Sequence, residues 1–89
     1  MTAQRSKAEV WALARRAAVI GAEISFCLRV RYGENEDYWP ECPGKEAFRR
    51  LTAATFNAYN SDASSEMKYN VLRDAIRFAE TLGTQQVLF

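Results

Sequence analysis

Residues 6–33 read SKAEVWALARRAAVIGAEISFCLRVRYG and carry a long helical pattern. Ser6 followed by Glu9 fits a capping box, in which each side chain accepts a hydrogen bond from the other residue's backbone amide. Gly33, at the other end, is the residue type that commonly follows the last turn of a helix. The sequence therefore predicts one long helix from Ser6 to about Tyr32.

Two apolar stripes run along this helix. The main stripe advances in alternating steps of three and four residues, as one face of an α-helix does. It consists of Val10, Leu13, Ala17, Ile20, Ile24 and Cys27. A second stripe, at Val19, Phe26 and Val30, lies roughly opposite. A helix that is apolar on two sides is either central in its domain or shared with another chain, so we expect the second stripe to be an interface.

Small residues are frequent in the same helix, at Ala14, Ala17, Ala18, Gly21 and Ser25. They would let a neighbouring backbone come close. Glycine inside a helix costs about 1 kcal/mol relative to alanine, so a packing role for Gly21 is expected.

Residues 24–32 also fit a second interpretation. Apolar residues occupy every other position from Ile24 to Tyr32, which is typical of a β-strand. Only the tail from Gln85 to Phe89 looks extended and apolar enough to pair with it, and a two-stranded sheet is marginal alone. The helix is the favoured prediction, and an α+β fold with a short strand at 24–32 is the alternative.

Two shorter helices are predicted after a loop that runs from Gly33 to Gly44. One starts near Lys45, and the other runs from about Ser65 to Leu82, with Gly83 as its stop and either Asp62 or Ser64 as its cap. The 89 residues suit a single domain, 1–89. The predicted fold is all-α: three helices, of which the first is long, with an acidic-aromatic loop after it.

The composition excludes several functions. Apolar residues make up 48% and charged residues 26% of the chain, which is typical of a globular protein. Histidine is absent, which removes serine–histidine and cysteine–histidine catalysis and histidine metal ligands. No glycine-rich phosphate loop is present. We therefore expect no enzyme activity, no cofactor and no metal site. A net charge of +1 does not demand a nucleic acid or an anionic membrane.

Compartment and redox state follow from equally simple features. The longest uncharged run, residues 51–61, has eleven residues and is too short for a membrane helix. The N-terminus has no apolar signal core, so a cytoplasmic protein is expected. Cys27 and Cys42 are expected to be free thiols in a reducing cell, with Cys27 as an inert core thiol on an apolar helix face.

The acidic-aromatic loop is the most unusual segment. Tyr38 and Trp39 are candidate anchors, because tyrosine and tryptophan dominate binding hot spots, and the carboxylates around them would steer a basic partner surface. In the alternative, Trp39 folds back over the core and the acids form a solvated rim. Trp11, at the start of the first helix, is a further candidate, with core packing as its alternative. The candidate partner-binding residues are Trp11, Phe26, Val30, Tyr38, Trp39, Glu34, Glu36 and Asp37.

Arginine pairs support a second hypothesis, that of a nucleic-acid-binding regulator. Arginines on one face could contact phosphates, although scattered solvated arginines on amphipathic helices explain the same pattern. The candidate residues are Arg15, Arg16, Arg49, Arg50 and Arg73.

Residues 75–83, AIRFAETLG, resemble the closing helix of small all-helical anti-CRISPR proteins, over about a tenth of the chain. The resemblance implies an inhibitor or adaptor of phage or mobile-element type, which acts by occupying a partner's surface. The two apolar stripes of the first helix, in so small a chain, favour a non-enzymatic protein that binds another protein or a second copy of itself. Self-association as a homodimer is expected.

Overall fold

A computed structural model describes residues 5–85 of the chain. Three α-helices follow one another: α1 is Lys7–Tyr32, α2 is Pro43–Asn60 and α3 is Ser65–Gln85. A short 3-10 helix, Glu36–Tyr38, lies in the connection between α1 and α2. Each helix packs against the other two. The all-α prediction is confirmed.

The strand alternative at 24–32 is wrong, because these residues form the last turns of α1. The described part of the chain, residues 5–85, contains no strand with which they could pair. The helix satisfies their backbone groups internally instead. Of the extended tail expected at 85–89, Gln85 is the last residue of α3, and the remainder lies outside the described residues.

Both predicted ends of α1 are confirmed. The Glu9 amide donates to Ser6 Oγ at 3.2 Å, and the Ser6 amide donates to Glu9 Oε1 at 3.1 Å. At the other end, the Gly33 amide donates to the Arg29 carbonyl at 2.9 Å. Gly33 has φ +97°, a conformation that residues with a Cβ rarely adopt. Glycine is therefore needed where the chain leaves α1.

The other helix ends were predicted less well. The second helix starts at Pro43 rather than near Lys45, because proline is well suited to the first helical position, where no backbone donor is needed. The Met67 amide donates to Ser64 Oγ at 3.1 Å, so Ser64 is the cap of α3. The expected stop at Gly83 is wrong, because α3 continues to Gln85 and glycine merely weakens a helix that it does not end.

The core lies where the three helices meet. The side of α1 that faces the other helices bears three small residues and three larger aliphatic ones. The buried residues of α1 are Val10, Ala14, Ala17, Gly21, Ile24 and Leu28. A Cβ built on Gly21 would lie 3.7 Å from Leu51 Cβ, so the small side chains do bring α1 and α2 close together.

The main apolar stripe of α1 was predicted in part: Val10, Ala17 and Ile24 are buried, and Leu13 and Ile20 are partly buried against the core. It was expected to contain Leu13, Ile20 and Cys27, whereas Ala14, Gly21 and Leu28 take the central buried positions. Each of these three residues directly follows an expected one in the sequence, so the buried side is turned slightly around the helix. Cys27 is consequently exposed, and the prediction of a core thiol is wrong.

Candidate protein-binding surface

The side of α1 that faces away from α2 and α3 is apolar and open. Val19 is 58% exposed, Phe26 61% and Val30 72%. The other residues on this side are three alanines and one arginine, spaced by three or four positions, and all of them are exposed. We call this surface the outer face, which consists of Ala8, Ala12, Arg15, Val19, Ala22, Phe26 and Val30.

A shallow groove runs beside the outer face, between α1 and α2. It has a volume of about 540 Å³, and its floor includes Ala18, Gly21 and Ala22 from α1. Phe56 and Tyr59 of α2 also line it, and both side chains are more than half exposed. The small residues of α1 therefore leave an apolar depression next to the outer face.

Trp11 lies at one end of this region. Its ring stacks on Tyr59, with the ring centroids 4.7 Å apart and the planes inclined by 24°. The indole remains 38% exposed. Trp11 thus joins α1 to the last turn of α2 and still offers part of its ring to solvent.

Trp39 folds back over the core and is only 3% exposed. Its Nε1 donates to the Gly33 carbonyl at 2.7 Å, and its ring meets Phe48 edge to face, with the centroids 5.7 Å apart. Lys45 Nζ donates to the Trp39 carbonyl at 2.9 Å. The structure therefore agrees with the core alternative for Trp39, whose ring is not exposed as an anchor, and Trp39 fixes the loop beside the end of α1.

The other candidate residues of the loop remain at the surface. Tyr38 is 79% exposed, and Glu34, Glu36 and Asp37 are exposed as well. Asn35 Oδ1 accepts a hydrogen bond from the Asp37 amide at 3.0 Å, which orders the turn. Within residues 5–85, no basic side chain forms an ion pair with these three carboxylates. These exposed acids of the loop, next to Arg29 and Arg31 in the last turn of α1, are available to a partner.

Glu41, the remaining acid of the loop, is used internally. Arg49 approaches it through two nitrogens at 3.1 and 3.2 Å, and Lys45 Nζ lies at 3.3 Å. The hydrogen bonds from Arg49 and then Lys45 lower the pKa of Glu41 below its ordinary value, because they stabilise the charged carboxylate. Glu41 thus ties the loop to α2.

Four of the five arginines proposed for nucleic-acid binding are held by carboxylates of their own chain. Their ion pairs are Arg16 with Glu80, Arg49 with Glu41, Arg50 with Glu46, and Arg73 with Asp74. Arg50 also lies over the Phe78 ring, at 4.1 Å from its centroid. Arg15, on the outer face, forms no ion pair within residues 5–85. The positive charge of four of these arginines is therefore partly balanced within the chain.

The structure therefore brings Phe26 and Val30 together on the outer face, while Tyr38 and the three acids are exposed in the loop that follows α1. Trp11 lies near the other end of the helix. Phe56 was missed by the sequence analysis, because it does not belong to the apolar stripe of α2 that includes Leu51, Ala54 and Ala58. An aromatic residue off the buried stripe is the signal that could have found it.

The described part of the chain contains no group of three metal-ligating side chains, and no helix of residues 5–85 combines the length and apolar content that crossing a bilayer demands. No protein family model matches the chain. Comparison with curated proteins and with solved structures also returns no match.

Proposed function

We propose that this chain is a non-enzymatic protein-binding module whose contact surface is the outer face of α1. The observation that carries the proposal is the exposure of Val19, Phe26 and Val30 on the side of α1 opposite its buried residues. A helix in a monomer normally hides its apolar stripe, and a contiguous exposed apolar patch indicates a partner.

The spacing of these side chains suits a helical or flat partner. Val19 and Phe26 are two helical turns apart, about 10 Å, and Val30 follows about 6 Å further along. Complete burial of a valine or phenylalanine side chain contributes about 1.5–3 kcal/mol. The three side chains already are partly covered, so each would contribute only part of this amount as the apolar centre of an interface.

The acidic residues that follow α1 would help to orient a partner on this surface. Glu34, Glu36 and Asp37 follow the last turn of α1, which also bears the exposed Arg29 and Arg31. The three acids form no ion pair among residues 5–85. Rim charges of one sign accelerate association with a surface of the opposite sign and determine its orientation. The fitting partner is therefore a protein with an apolar strip that ends in basic residues.

The proposal is tested with Val19→Asp combined with Val30→Asp. Immobilised wild-type chain and variant are exposed to extract of the native host, and the retained proteins are identified by mass spectrometry. Val71→Asp is the matched control, because Val71 is an exposed valine on α3. Circular dichroism verifies that each variant is folded.

The wild type and the Val71→Asp variant should retain certain proteins from the extract, or copies of the chain itself. We expect the immobilised double variant not to retain them. Equal retention by all three would refute the outer face as the contact surface. An inhibitor or adaptor role of phage or mobile-element type stays a prediction within this proposal, since it is implied only by the helix at residues 75–83.

A further inference from the structure

We draw no further inference here: the strongest candidate, the apolar groove between α1 and α2 beside the outer face, carries nothing, because nothing in the structure of residues 5–85 shows what covers it.

Discussion

Replacing Gly21 with alanine should stabilise the protein, although Gly21 is buried where α1 meets α2. The added Cβ would lie 3.7 Å from Leu51 Cβ and 4.0 Å from Leu51 Cδ1, which is ordinary van der Waals contact. No neighbour has to move. The close packing of the two helices therefore tolerates a methyl group at this position.

The magnitude follows from helix propensity. Alanine is favoured over glycine in a helix interior by about 0.8–1.0 kcal/mol, partly because the unfolded chain loses flexibility. For a domain of this size, 1 kcal/mol corresponds to a rise of roughly 4–8 °C in the melting temperature. Thermal and urea unfolding, followed by far-ultraviolet circular dichroism, measures both quantities.

Two further glycines provide matched controls for the same chemical change. Gly83→Ala lies within α3 with nothing within 4 Å of the added Cβ, so it should stabilise through propensity alone. Gly33→Ala must hold φ near +97° and should cost about 1–3 kcal/mol. If Gly21→Ala destabilises while Gly83→Ala stabilises, then α1 and α2 pack more tightly than these distances show, and the reasoning fails.

Three other perturbations test the core, the loop and the pH response. Leu28→Ala removes a fully buried side chain and should lower the free energy of unfolding by about 3–5 kcal/mol. Val30→Ala, on the exposed side, should change it by less than about 0.5 kcal/mol in the monomer. Urea titrations measure the free energy of unfolding of both variants. Trp39→Phe deletes the indole hydrogen bond to the carbonyl at the end of α1 and should cost about 1–3 kcal/mol, and faster amide exchange in the loop should accompany the loss. Because hydrogen bonds, led by that from Arg49, lower the pKa of Glu41 in the folded state, its contribution is complete above the ordinary value of 4.5 and is lost as the pH falls below it. Glu41→Gln should therefore reduce the loss of stability between neutral and acidic pH, and an unchanged pH profile would contradict the ion-pair assignment.

The limits of α1 could be predicted from the sequence because local signals determine them. Ser6 and Glu9 interact within one turn, and Gly33 meets a backbone requirement at a single residue. The exposure of Val19, Phe26 and Val30 also followed from periodicity, since these residues lie far around the helix from any buried stripe. Such features depend little on the rest of the fold.

What depends on neighbouring helices was predicted less well. The stripe centred on Ile20 and Cys27 matches helical spacing as well as the true one centred on Gly21 and Leu28. Only the approach of α2 distinguishes them, because it favours the side on which the backbones can come closest. The burial of Trp39 likewise depends on acceptors and rings that lie elsewhere in the chain.

Long-range ion pairs could not be predicted from the sequence, because they too depend on how the helices pack together. Arg16 and Glu80 are 64 positions apart, and no periodicity connects them. The packing of α1 against α3 brings Arg16 to Glu80.

The buried indole of Trp39 limits the motion of the loop, which matters for any partner that binds the neighbouring Tyr38. Two hydrogen bonds restrain Trp39, since its indole donates to the Gly33 carbonyl and its backbone carbonyl accepts from Lys45 Nζ. A binding partner thus meets carboxylates in a loop that is already ordered after the C-terminal end of α1. Little disorder has to be removed upon docking, and rigid presentation of this kind lets a small contact hold more firmly than its area suggests.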